Sequence, residues 1–283
     1  MADLNPDDVV ASLTGDLLKD AFVEPDWDRF LAGLAEQAVP ESWAPPGDPP
    51  DSMRVLSSVV RYTYRRAVAT GRVGVGQGER GQTAIVFASG LYTPGLELLY
   101  CVGGPTEARQ LWAVKGVESA VRAARRLGAT PVPPPPSYWT DSCELVLDPS
   151  AAFHRDVEEL AGRDKVHEAL PEIIAQLPET TRIDVLEGAI ARAWRLAELN
   201  PRVVAPAFNF SGRSGDGELT LLLPLNLASA TADAALVLKE IYGGPEERIA
   251  YRAAAIIDIG RAYTSARLVA PLDSVWAQAR SQA

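Results

Sequence analysis

Histidine, cysteine and methionine are scarce in this chain, with two of each among 283 residues. His154 and His167 are the imidazoles, and Cys101 and Cys143 the thiols. No zinc site of ordinary ligand spacing can be drawn from them, so no metal-ligand set is expected. The cysteines lie in apolar segments and read as buried thiols rather than a disulfide, which fits a reducing cytoplasm. Long hydrophobic runs are missing too. No stretch approaches the roughly eighteen apolar residues that span a bilayer, and no membrane partner is expected. The opening MADLNPDDVV is acidic and polar, unlike a secretory signal or transit peptide. Basic excess is also lacking. A net charge of −10 argues against a general nucleic-acid binder.

Motifs of catalysis are absent as well: there is no GxSxG, P-loop, HExxH or EF-hand. The glycine string GVGQGERG precedes a strand-like run rather than a helix, so it is no dinucleotide loop. Both histidines fall in HRDVEELAGRDKVHEAL, a charged helical stretch that reads as solvent-facing rather than catalytic.

What is present begins with an uneven charge. Residues 1–52 hold twelve Asp and Glu against Lys19 and Arg29, whereas residues 53–283 are neutral. The acidity is thus confined to the N-terminal segment. Residues 1–24 read as a short acidic helix, and 26–37 as a second with Trp27, Phe30, Leu31 and Leu34 on one face. The stretch PESWAPPGDPPD is a proline-rich break, either a linker or a surface arm anchored by Trp43. Residues 53–71 place Leu56, Val59, Val60, Tyr64 and Val68 on one helical face, with Arg61 and Arg65 on another.

RVGVGQGERGQTAIVFASGL reads as a hairpin, LELLYCVGG as a strand, 106–128 as a helix ending on Gly128, and CELVLD as a short strand. The spacing predicts a helix over 182–199, capped by Thr181, burying Ile183, Leu186, Ile190, Trp194 and Ala197 and stopped by Asn200-Pro201. RVVAPAFNF reads as extended. ELTLLLPLNL and ADAALVLKEI read as neighbouring central strands, and 246–260 as a helix. No internal repeat is visible. The fold expected is α+β: a single domain with a mixed, largely antiparallel curved sheet covered by helices. The boundaries are a leader at 1–25, a globular domain at 26–276 and a tail at 277–283.

Four segments carry a family resemblance: PESW with VVRYTYRRAVATGRV, IVFASGLYT with LELLYCV, ARAWRLAELNPRVVAPAFN, and LTLLLPLNL…ADAALVL…AYTSARLVAPLDSVW. In this order they resemble the uncharacterised domain-of-unknown-function family 3825, over about residues 26–276. The resemblance implies an intracellular protein of a family with many bacterial members. Fungal relatives joined to winged-helix modules imply an RNA or nucleotide connection. Relatives tend to show Phe-Asn-Thr-Gly-Leu where this chain has Phe87-Ala88-Ser89-Gly90-Leu91. The AYTSARL element is intact at Tyr263, Arg267 and Leu268.

Candidate ligand-binding residues follow. Arg267 lies in an apolar stretch and needs acceptors, either a ligand phosphate or Asp233 or Asp258. Arg202 follows a helix C-terminus, where it complements the dipole or gives a second anion contact. Asn209 between Phe208 and Phe210 is suited to reading a stacked base or to core packing. Asn226 at a strand end is a turn former or a polar contact. Asp233 is an arginine partner, a base or a metal ligand. Tyr263 lies near Arg267. Arg61, Arg65, Arg66 and Arg72 with Tyr62 and Tyr64 form a basic, aromatic cluster of the kind that binds RNA, or else a solvated helix face. Arg122, Arg125 and Arg126 are expected to pair with the acidic leader, making it a mask.

The leading expectation is recognition of a phosphate-bearing ligand, RNA or a nucleotide, through Arg267 and Arg202 with Asn209 and Tyr263. The rivals are a phosphoester hydrolase using Asp233 or Asp258, and a protein-interaction domain supported by Trp43, the proline arms and the leader.

Overall fold

The computed structural model describes residues 6–23, 26–78, 81–105, 112–163, 166–210, 216–243 and 248–270. They divide between two units: Met1–Ala44, Pro49–Ser137 and Phe210–Gly217 belong to the first, and Pro45–Asp48, Tyr138–Asn209 and Glu218–Ala283 to the second.

The first unit runs through α1 (Pro6–Ser12), α2 (Leu17–Asp20), β1 (Ala21–Val23), α3 (Trp27–Gln37), α4 (Arg54–Ala69), β2 (Val73–Gln77), β3 (Thr83–Tyr92), β4 (Leu98–Pro105), β5 (Trp112–Ser119) and α5 (Ala120–Leu127). Asp26 caps α3 by accepting the Arg29 amide at 2.7 Å. Along α4 the apolar spacing buries Val55, Leu56, Val59, Val60, Tyr64 and Ala67. Each large side chain so buried contributes about 1.5–3 kcal/mol. Strands β2 to β5 form an antiparallel meander, and β1 joins its far edge parallel to β5, giving the order β1-β5-β4-β3-β2. Trp112 lies across Gly103, where a Cβ would come within 2.4 Å of its ring. Glycine is what lets the indole reach Tyr64 and Phe87. The proline-rich break is an anchored arm: Trp43 is buried and its carbonyl accepts the Val55 amide at 2.9 Å.

The second unit runs through β6 (Ala152–His154), α6 (Val157–Ala161), α7 (Val166–Ala169), α8 (Glu172–Ala175), α9 (Glu179–Leu199), β7 (Ala205–Phe210), β8 (Gly217–Leu225), β9 (Ala234–Tyr242), β10 (Arg248–Asp258) and α10 (Ile259–Arg267), with the end residues Phe210 of β7 and Gly217 of β8 counted in the first unit. Its sheet has the order β6-β10-β9-β8-β7, with β6 parallel to β10 and β8, β9 and β10 antiparallel. Leu186, Ile190 and Ala197 pack on one face against Leu221, Leu223, Leu236 and Tyr251. Ala262 and Ala266 of α10 pack on the other, against Ala207, Leu222 and Val237.

The α+β class is as expected, but the strands form two sheets, and the two units repeat one plan. Each has a short strand, a long helix, a four-strand meander and a short closing helix, with the short strand pairing parallel to the last. The long helices match at a constant offset of 130: Leu56 with Leu186, Val60 with Ile190, Tyr64 with Trp194, Arg65 with Arg195, Ala67 with Ala197, Arg72 with Arg202 and Val73 with Val203. The packing repeats too. Tyr64 meets Trp112 at 6.0 Å between ring centroids, and Trp194 meets Tyr251 at 6.1 Å. The repeat is invisible to a search for identical runs, because what it keeps is burial at spaced positions.

Other expectations are corrected locally. Residues 112–119 and 248–258 are strands rather than helices, because pairing in the sheet overrides the helical preference of their alanines. CELVLD holds a 3-10 turn (Ser142–Leu145), closed by a capping box of Asp141 and Glu144. Thr181 is no cap, since α9 starts at Glu179 behind Pro178. The leader's helix breaks between α1 and α2 and ends in β1. Cys101 is buried, whereas Cys143 is exposed.

Candidate functional site

The acidic leader and α4 together enclose a cleft of about 480 Å³, walled by residues 14–17 and Lys19 on one side and by Arg61, Tyr62 and Arg65 on the other. What shapes the leader wall is Asp20, almost wholly buried at 1% exposure. Its carboxylate accepts the Thr14 amide at 2.9 Å, the Thr14 hydroxyl at 2.6 Å, the Gly15 amide at 2.9 Å and the Tyr64 hydroxyl at 2.9 Å. Gly15 turns the chain at φ 77, a conformation that favours glycine. A buried carboxylate is tolerated when donors replace water, and here four do. Burial first, and the negative Asp20 second, push the Tyr64 phenol well above its ordinary range, so it stays a donor.

The opposite wall is cationic and aromatic. Tyr62 is exposed and stacks on Phe210 at 4.9 Å between ring centroids, 18° from parallel. The Arg65 guanidinium lies over the same Phe210 ring at 5.1 Å. Lys19 pairs with Asp16 at 3.2 Å. Arg61 is exposed and has no ion-pair partner among the described residues. The other members of the sequence cluster part company with the cleft. Arg66 turns to the Ser137 carbonyl at 3.0 Å, Arg72 is exposed beyond the helix, and Tyr64 is core.

The six residues singled out for ligand binding do not share one cleft. Arg202 is exposed on the 3-10 turn Pro201–Val203, held by the Asn200 side chain. Asn209 donates to the Thr220 hydroxyl at 2.7 Å. Asn226 donates to the Ala230 carbonyl at 2.6 Å, and Asp233 accepts the amides of Leu227, Ala228 and Ser229, so both serve the β8–β9 turn. Tyr263 and Arg267 are buried one turn apart on α10, whose cap is Asp258, accepting the Arg261 amide at 2.9 Å. Asn226 lines a separate cleft of about 340 Å³ beside α9. Arg126 pairs with Glu118 at 2.8 Å. Ala88 is fully buried against Ala123 and Leu127 of α5. The neighbouring Ser89 hydroxyl donates to the Leu99 carbonyl at 2.8 Å.

Sequence reasoning missed the leader's share of the cleft because Thr14, Gly15 and Lys19 carry no motif. It named Phe210 beside Asn209 as suited to stacking but did not place it against Tyr62, because a contact over nearly 150 positions leaves no local signal. It also passed over Arg182, which is buried on α9 with its Nε–H lacking a hydrogen-bond partner among the described residues. No group of three His, Cys, Asp or Glu side chains suited to a metal occurs among the described residues, and none of their helices is long and apolar enough to cross a membrane.

No curated protein and no solved structure matches the chain. A family model matches residues 34–276, beginning after the leader wall and taking in α4 and every strand but β1. The chain therefore belongs to the family described as Domain of unknown function (DUF3825).

Proposed function

We propose that this protein recognises a phosphate-bearing ligand, RNA or a nucleotide, and that the cleft between the leader and α4 does so. The observation that carries this reading is the layered stack of Tyr62 on Phe210 with the Arg65 guanidinium over the same ring, beside the exposed Arg61. An exposed ring fixed from behind offers a base a face to stack on at little entropic cost. Arginines beside it supply fork-shaped donors for phosphate oxygens. The volume of about 480 Å³ lies within the range of small-ligand sites. The local charge of this wall is opposite in sign to the chain's average, which is how an acidic protein retains an anion site.

This reading moves the expected role from Arg267 and Arg202 to Arg61 and Arg65. A phosphoester hydrolase needs carboxylates converging on the ligand, and Asp16 is the one acidic residue in this cleft wall, already paired with Lys19. Binding is therefore the reading favoured over turnover.

The test is titration of the full chain with adenosine and uridine monophosphates and with a labelled single-stranded hexaribonucleotide. Tyr62→Ala should weaken binding roughly 10- to 100-fold, as loss of about 1–3 kcal/mol of stacking requires. Arg61→Ala should weaken it and flatten its salt dependence. Tighter hexamer binding assigns RNA, and equal affinity for monophosphates assigns a nucleotide. Affinity unchanged by both substitutions would remove the site from consideration.

A further inference from the structure

The second unit gathers two arginines and a histidine at one cleft. Strands β6 and β10 set His154 directly beside Arg252, and β9 sets Lys239 on the other side of Arg252. Lys239 has an acid of its own, Glu218. Arg252 does not: no ion pair to it exists among the described residues, and the same is true of His154 and Arg155. All three line a cleft of about 330 Å³ with Asp156, Glu159 and Arg163.

The two acids in that cleft are committed elsewhere. Asp156 caps α6 by accepting the Glu159 amide at 2.8 Å, and Glu159 pairs with Arg163. Arg163 is in turn held by the Ala254 carbonyl. The wall is thus fixed, while Arg155 and Arg252 keep unspent charge, with His154 beside Arg252 on the edge strand β6.

Like charges set side by side across a sheet destabilise it. Arg252 nonetheless keeps its side chain exposed in this row, between the buried Tyr251 and Ala253.

We infer that Arg155, Arg252 and His154 form an anion site for a phosphate dianion, separate from the cleft at α4. Two guanidinium groups give four or more N–H donors, enough for three phosphate oxygens, and the imidazole adds one more. The size suits a phosphate or a small phosphomonoester, not a polymer.

Proton NMR of the imidazoles reads this site alone, since the chain's other histidine is His167. Inorganic phosphate and ribose 5-phosphate are titrated separately into the full chain, with ionic strength held constant. His154 signals should shift along a saturating curve and His167 signals should not. Arg252→Ala should raise the midpoint at least tenfold, and Arg155→Gln should raise it too, with far-UV circular dichroism unchanged because both side chains are exposed. A lower midpoint for ribose 5-phosphate assigns a phosphomonoester, and equal midpoints assign free phosphate. A shift that rises linearly without saturating, or a midpoint indifferent to Arg252→Ala, overturns the inference, whatever the outcome at Tyr62.

Discussion

Replacing Asp20 by alanine should loosen the leader from α4. The carboxylate accepts from four donors, and two of them, the Gly15 amide and the Tyr64 hydroxyl, are in buried contacts. Each buried donor left without a partner costs about 1–3 kcal/mol. The Thr14 groups lie nearer the surface and regain water. Against this stands relief from desolvating a carboxylate, which favours the substitution. Four charge-assisted donors outweigh that relief, so a net loss of roughly 2–4 kcal/mol is expected. In thermal unfolding that is a fall of roughly 5–15 °C in the midpoint of the first unit. The partner is identified by a double-mutant cycle with Tyr64→Phe: a shared contact makes the two losses non-additive by about 1 kcal/mol. Urea melts of the four proteins provide the measurement. A loss below about 0.5 kcal/mol for Asp20→Ala, or full additivity, would refute the argument that this carboxylate latches the leader.

Two further outcomes follow from the same core. Tyr64 has its phenol raised above the ordinary 10.0 by burial and by Asp20, so the folded state holds that proton more tightly than the unfolded state. Its contribution is complete below about pH 10 and declines as pH rises beyond it, and urea melts between pH 8 and 11 should show an alkaline slope that Tyr64→Phe lacks. Leu56→Ala and Leu186→Ala occupy matching, fully buried positions on α4 and α9, and each should cost about 2–5 kcal/mol in chemical denaturation. A surface-like cost at either site would contradict the matched cores.

Much of the fold was legible where one periodicity ran long enough to be unambiguous. The stripes of α4 and α9 were readable because their apolar residues recur at helical spacing for four turns or more. Strands β8 and β9 were readable from continuous apolar runs. β5 and β10 were not, because AVKGVES and RAAAIID are short segments whose alanines suit a helix until a neighbouring strand claims their amides. The candidate cleft was half legible. Arg61, Tyr62 and Arg65 stand within five positions on one helix, so their shared face could be read. The wall from residues 14–17 could not, since it depends on where one aspartate, Asp20, finds its donors.

The repeat sharpens what the site residues mean. Matching Arg65 to Arg195, and Arg72 to Arg202, shows that an arginine can be kept at a place in the plan without any cleft beside it being the same. Tyr62 stands opposite Arg192, and Arg61 opposite Ala191, at the same offset. At these places the two long helices agree in their buried stripe and differ in the outward face. A buried stripe is fixed by the need to pack on a sheet, which both units share. An outward face is free to change, so its differences record separate uses. By that measure the outward face of α4, where Tyr62 and Arg61 replace the plan's Arg192 and Ala191, is where a use particular to the first unit is to be sought.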